Sequence, residues 1–256
     1  MVLEFRFKKF LDWDSVIYYW VTLQFKFKDT IMTNLKESLC IIRGMNISEQ
    51  FDRIAKELFQ KYQIVKNDSV YDLLEIEFYY CSSDHKDIIT YQRTTKGGLW
   101  FFHPSGVDIT FQSESDKYYG GILIRSIKKQ GGKAICGPLK CVDELFDVFD
   151  TEDDEFNKKV MPKLVVRDNV DLEIRKAKRW IPDGEKKITK KCEKLDFCMY
   201  LTDCKKFLGL PYRYFVCTDS AGESVADWDE VKKGKYAASP WHANVKSNSL
   251  GNDMLI

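Results

Sequence analysis

An α+β fold is predicted by three stretches of the 256-residue chain. Leu73 to Tyr80, Leu-Leu-Glu-Ile-Glu-Phe-Tyr-Tyr, alternates apolar and polar residues with the period of a strand. Asn46 to Tyr62 places Phe51, Ile54, Ala55, Leu58 and Tyr62 on one face of a helix. Leu99 to Phe102 and Val107 to Phe111 are short strands separated by His103-Pro104-Ser105-Gly106, where Pro and Gly supply the turn of a hairpin.

Taken from the N-terminus, Val16 to Phe27 is too short for a membrane span and contains Gln24 and Lys26. Its end alternates like an edge strand. Met32 and Met45 both precede the first well-formed helix signal, so residues 1–44 read either as an accessory N-terminal segment or as an over-extended start. The helix from Asn46 opens with Asn46 and Glu49 at capping-box spacing. In the strand that follows, Glu75, Glu77 and Tyr79 share one face, and Leu74, Ile76, Phe78 and Tyr80 take the core face. Cys81 to Thr95 is polar and reads as a loop. Gly120 to Ile127 is a further strand, apolar except for Arg125. Leu139, Val142, Leu145, Phe146 and Phe149 predict a helix of about three turns with an acidic outer face. A charged connector follows, and Leu195 to Thr218 ends in Gly209-Leu-Pro211-Tyr212-Arg213-Tyr214-Phe215-Val216, a closing strand after a turn. Gly, Ser, Asn and Lys accumulate after Asp219, which divides the chain into a folded domain at 45–218 and a weakly ordered tail at 219–256.

With 40 basic and 39 acidic residues and a net charge of +1, the whole chain carries no electrostatic signature of a nucleic-acid binder. Charge is segregated locally instead. Asp143 to Glu155 holds eight acidic residues and no basic one, whereas Asn157 to Lys194 holds thirteen Lys/Arg against six Asp/Glu. The basic stretch includes Arg167, Arg175, Lys176, Lys178 and Arg179 beside Trp180, a composition that can track a phosphate backbone and stack on a base, and that also describes solubilising surfaces. The eight cysteines form no Cys-x-x-Cys pair, and three histidines complete no zinc ligand set. No metal site is expected. No secretory signal is visible, so reduced thiols in a cytoplasmic protein without a membrane span are the expectation.

An amphipathic strand with charges on its wet side is the ordinary explanation of Glu75, Glu77 and Tyr79. Three further polar placements favour a catalytic wall: Arg93 in Tyr-Gln-Arg-Thr-Thr, the hairpin with His103, and Arg125 within an apolar strand.

In their order these blocks resemble the alkyladenine (3-methyladenine) DNA glycosylase family. Glu75-Ile-Glu77-Phe-Tyr79 looks like the family's Glu-Thr-Glu-Ala-Tyr, and His85 sits in the loop where the family has a base-stacking histidine. Arg93 falls where it has Thr-x-Arg, and Pro104-Ser-Gly106 takes the place of its Pro-Gly hairpin. Ile122-Leu-Ile-Arg125 looks like its Leu-Ile-Arg-Ala, and Leu210-Pro-Tyr-Arg-Tyr-Phe like its closing Pro-Trp-Arg-Phe-Tyr. The resemblance spans Asn46 to Thr218, which makes 45–218 a glycosylase-like domain. It implies a mixed, largely antiparallel curved sheet with flanking helices, like the C-terminal domain of methionyl-tRNA formyltransferase.

By the same resemblance, Glu77 activates the water that attacks the sugar C1′, and Arg125 holds that water or the phosphate of the flipped nucleotide. Tyr79 stacks on the extruded base, and His85 closes the other side of the pocket. No cofactor is implied; the expected partner is double-stranded DNA and the expected state a monomer. Asp108 and Thr110 stand where the family's hairpin carries aromatic residues, which leaves a more polar pocket in which Asp108 can hydrogen-bond a base edge. Phe102 and Phe111 are candidate wedges, with core packing as the competing role. The alternative functions are a noncatalytic nucleic-acid-binding or interaction protein on the same fold, and an enzyme acting on free nucleotides or another glycoside.

Overall fold

The computed structural model describes residues 3–4, 33–149, 153–179, 181–195, 198–219 and 254–255. The expected edge strand near Val16–Phe27, Trp180 and nearly all of the 219–256 tail lie outside them. After a short helix α1 (Thr33–Ser38), the strongest helical signal folds as α2 (Ile47–Lys61). The Asn46 side chain accepts hydrogen bonds from the backbone N–H groups of Ser48 and Glu49 at 3.0 and 3.3 Å, satisfying donors that a helix start leaves unpaired. Its amide donates to the Glu49 carboxylate at 2.9 Å, so the expected box closes between side chains. The chain passes from Lys61 into β1 (Tyr62–Lys66), turns at Asn67 with φ of 50°, and returns as the long strand β2 (Ser69–Ser82).

The remaining strands are β3 (Trp100–His103), β4 (Gly106–Thr110), β5 (Tyr118–Lys129), β6 (Ala134–Cys136), β7 (Lys163–Val166), β8 (Ile174–Ala177) and β9 (Arg213–Val216). They form a curled, half-barrel sheet in the order β8-β9-β2-β5-β4-β3, with β1 bridging β2 to β7 and β6 beside β5. Every described pairing is antiparallel, so the expected mixed character is absent among the described residues. The pairing of β2 with β5 shifts register on both sides of Glu75, and such bulges bend a strand and increase its twist.

The apolar alternation of β2 is used as expected. Leu74, Ile76, Phe78 and Tyr80 are fully buried and share one core with Phe51, Ile54 and Leu58 of α2. Phe78 lies 4.5 Å from the Phe51 ring and 5.0 Å from that of Tyr214. Phe111 is fully buried and Phe102 packs against the same core, so both candidate wedges are packing residues. Phe78→Ala is expected to cost about 3–5 kcal/mol in urea unfolding, through lost transfer energy and the cavity left among these rings.

Two sequence expectations are corrected. The helix predicted over Leu139–Phe149 ends early: α3 spans Pro138–Leu145, Cys141, Val142 and Leu145 are its buried residues, and Leu139 is 52% exposed. Pro138 occupies its first turn, and at about 100° per residue Leu139 lies off the stripe that Cys141, Val142 and Leu145 bury. The charged connector is ordered as α4 (Asp154–Val160), β7, β8 and α5 (Gly184–Lys194). Its basic residues fit inside because they meet acids there: Arg167 Nη1 lies 2.6 Å from Asp72 and Lys176 Nζ 2.8 Å from Asp52. Both acids precede the connector by roughly a hundred residues or more, a partnership that composition does not reveal. A last helix, α6 (Leu201–Lys206), precedes β9, and Met254–Leu255 pair with Arg175 and Lys176 of β8. Among the described residues, no helix is long and apolar enough to cross a membrane.

Candidate active site

The two carboxylates on the polar face of β2 do not meet bulk water. Glu75 and Glu77 have 0% exposure, which removes the wet-strand explanation of their alternation. Cys81 and Tyr119, farther along the same face, pack with Ile88 of the 81–95 loop, Ile188 and Cys192 of α5 and Cys204 of α6. That small second core roofs one end of the face.

Charge on this face is organised around Arg125, which the bulge in β5 presents to β2. Arg125 Nε donates to Glu75 Oε1 at 2.9 Å, and its Nη1 stands 3.1 Å from Glu77 Oε1. The neighbouring strand β9, which pairs Arg213 with Glu77, sends the Arg213 guanidinium to the same Glu75 oxygen, and Ser126 Oγ donates to Glu75 Oε2 at 3.0 Å. The two carboxylates therefore differ. Glu75 is occupied on both oxygens. Glu77 accepts from the Tyr79 hydroxyl on Oε2 at 2.8 Å, whereas its buried Oε1 lies near Arg125 but accepts no aligned hydrogen bond among the described residues.

Burial opposes the charge on Arg125, but the carboxylates of Glu77 and Glu75 outweigh it and hold the guanidinium more firmly protonated than usual. For Arg213 burial wins, and its pKa falls below the ordinary value despite Glu75. The Tyr79 hydroxyl is pushed well above its usual value by burial and by the negative charge of Glu77, so at neutral pH it serves as a donor to that carboxylate.

The other expected site residues are placed as follows. Arg93 lies over the gap created by Gly121, where a Cβ would come within 2.9 Å of its Nη1 and 3.0 Å of Asp108. Its Nη2 is 2.8 Å from Asp108 Oδ2, and its guanidinium sits 3.8 Å over the Phe101 ring. His103 Nε2 lies 2.9 Å from the other Asp108 oxygen. Both Asp108 oxygens are thus taken, which corrects its expected use on a base edge. Burial alone would raise the Asp108 pKa, but His103 and Arg93 bring it below the usual carboxylate value. Thr110 is also engaged in the hairpin: its hydroxyl donates to the Lys96 carbonyl at 2.6 Å and accepts from Leu99 N–H at 2.9 Å.

His85 packs on the core side of the sheet rather than against the Glu77 cluster. Its Nδ1 lies 2.7 Å from the Tyr80 carbonyl and so carries the hydrogen, and Nε2 accepts from the Tyr212 hydroxyl at 3.0 Å. Its ring centre is 4.4 Å from that of Phe207. Burial lowers its pKa from 6.5. The unfolded chain then takes up this proton at a higher pH than the native one does, so the native advantage is complete above pH 6.5 and is lost as pH falls toward the depressed native value. Thermal unfolding between pH 7.5 and 5 is expected to show a shallower loss of Tm in His85→Gln than in the unmodified protein; equal slopes would contradict this account.

Of the expected phosphate contacts, Arg167 and Lys176 are held in the ion pairs already described. Arg179 is 3% exposed and grips Asp87 through both terminal nitrogens at 2.7 and 3.1 Å, while donating to the carbonyls of Phe78 and Phe207. Its guanidinium lies 4.5 Å over the Tyr79 ring, so it borders the site as a fixed structural cation. Arg175 lies 2.6 Å from Glu173, and Lys178 is exposed. Sequence reasoning gave no role to Arg213, Ser126 or Asp87. Arg213 carried a usable signal, an arginine inside Tyr-Arg-Tyr-Phe-Val, the same pattern that marked Arg125.

A depression of about 220 Å³ lies elsewhere, lined by Arg43, Gly44, Met45, Ile47, Ser82, Asp84 and His85, and none of the Glu77 cluster borders it. No family model and no solved structure matches the chain. The chain is similar to an uncharacterized protein of Acanthamoeba polyphaga mimivirus, 29% identical over an alignment of 131 residues that covers 40% of this chain. The matched region spans 59% of that relative's length.

Proposed function

We propose that the chain is a DNA glycosylase of the alkyladenine type on a formyltransferase-like fold, which hydrolyses the N-glycosidic bond of a flipped base with a water activated by Glu77. The observation that carries this reading is the asymmetry of the carboxylate pair: Glu75 is fully engaged, and Glu77 keeps a buried oxygen without a hydrogen bond beside Arg125. A carboxylate in that position can take a proton from water, and Arg125 supplies positive charge for the water or the nearby phosphate. Tyr79, half-buried next to Glu77 and under Arg179, offers the ring on which an extruded base stacks. The curled antiparallel sheet is compatible with the fold that the resemblance implies.

One observation favours a second reading, a noncatalytic nucleic-acid-binding or interaction protein. Glu77 is 0% and Arg125 8% exposed, so a nucleotide reaches them only if part of the covering structure moves. The deciding experiment incubates the full chain with duplexes carrying alkylated or deaminated bases, and with the corresponding free nucleosides, and identifies released bases by mass spectrometry. Release from duplex that depends on Glu77 supports the glycosylase. Release from nucleosides alone moves the function to small substrates, and DNA binding without release from any substrate selects the noncatalytic protein.

A further inference from the structure

We propose that the exposed lysine face of α5, formed by Lys186, Lys187, Lys190 and Lys194, is the surface that follows the phosphate backbone of duplex DNA past the Glu77 site. The inference rests on the nucleic-acid part of the reading above, not on its catalytic part. It replaces Arg167, Lys176 and Arg179, whose charges are spent inside the fold. Neighbouring surface cations are also engaged: Lys205 lies 3.2 Å from Glu185 and Lys206 3.5 Å from Asp203. The four α5 lysines are exposed and form no ion pair among the described residues.

Their arrangement suits an extended anionic partner. Lys186, Lys190 and Lys194 recur at four-residue intervals, with Lys187 alongside, so they form one ridge about 12 Å long. That length matches the axial rise of between three and four nucleotides of one strand. Like charges at this spacing destabilise an isolated helix, and although Glu193 shares this side of α5 it forms no ion pair with these lysines among the described residues. The opposite side of α5 is anchored: Ile188 and Cys192 are buried against Cys81 and Tyr119, and Lys191 Nζ donates to the Thr90 carbonyl at 3.0 Å. Cys81 and Tyr119 lie two residues beyond Tyr79 and Gly121 on the same face of the sheet, about 7 Å along the strands. The ridge is thereby fixed at the rim of the candidate site. Because the apolar side of α5 is already packed in the protein, none of it is left to enter a lipid surface, which favours DNA over an anionic membrane.

The test measures the affinity of the full chain for duplex DNA by fluorescence anisotropy between 50 and 200 mM salt. The unmodified protein is compared with Lys186→Gln/Lys187→Gln/Lys190→Gln/Lys194→Gln and with a control of equal charge change, Lys129→Gln/Lys133→Gln/Lys159→Gln/Lys163→Gln. The α5 variant is expected to lower the slope of log K against log salt by roughly 3–4, at about 0.9 per lost phosphate contact, and the control by less than about 1. An unchanged slope in the α5 variant, an equal fall in the control, or no binding of the unmodified protein at 50 mM salt overturns the proposal. So does lysine-dependent binding to phosphatidylserine vesicles without binding to DNA. Base release is read separately on the same proteins. Release with an unchanged slope refutes the surface and leaves the glycosylase standing, whereas a reduced slope without release supports the surface and refutes the glycosylase.

Discussion

Glu75→Gln is expected to destabilise the protein by about 3–5 kcal/mol, the range for removing one member of a buried ion pair. Glu75 receives Arg125, Arg213 and Ser126 in an environment with no exposed surface. Glutamine keeps the volume and one acceptor oxygen but removes the charge that balances two guanidinium groups. Arg125 retains Glu77 at 3.1 Å, so the larger share of the loss falls on Arg213, which is 1% exposed and whose pKa burial already depresses. Urea unfolding is therefore expected to show a lower midpoint with an unchanged slope. The double variant Glu75→Gln/Arg213→Met is expected to be more stable than Glu75→Gln alone, because the stranded cation is gone. A loss below about 1 kcal/mol in Glu75→Gln would show that solvent reaches the cluster and that the charges are not desolvated.

Much of this site was legible because strands encode their faces with period two. The alternation of Leu73 to Tyr80 assigned Glu75, Glu77 and Tyr79 to one side and Leu74, Ile76, Phe78 and Tyr80 to the other, and the structure keeps that division. Helix α2 was equally readable, since its cap and its apolar stripe lie within the segment itself. What escaped depends on partners distant in sequence. Arg179 reads as a surface cation until it meets Asp87, 92 residues earlier, and Thr110 reads as a pocket residue until its hydroxyl meets Lys96 and Leu99. His85 is similar: a polar loop, Ser-Ser-Asp-His-Lys-Asp, folds its histidine under the sheet because Tyr212, 127 residues later, supplies the second hydrogen-bond partner. The roof over one end of the polar face was likewise hidden, since α5 and α6 arrive from a stretch that composition marks only as charged.

Glu77→Gln is expected to separate chemistry from folding, in contrast to its neighbour. Glutamine can still accept the Tyr79 hydrogen bond, and Arg125 keeps Glu75 at 2.9 Å, so no buried cation is left without a counter-charge. Its stability is therefore expected to stay within about 2 kcal/mol of the unmodified protein, with the fold and the salt dependence of DNA binding retained. If the proposed glycosylase mechanism holds, base release is expected to fall by about 10²–10⁴-fold, the usual contribution of a positioned general base, because an amide cannot take the proton of the attacking water. Tyr79→Phe provides an internal comparison. It removes the donor from Glu77 Oε2 but keeps the carboxylate and the ring, so its loss is expected to be smaller than that of Glu77→Gln. Release undiminished in Glu77→Gln would take the base away from this residue. The other carboxylates of the face cannot readily replace it, since Glu75 is saturated by Arg125, Arg213 and Ser126, and Asp108 by Arg93 and His103.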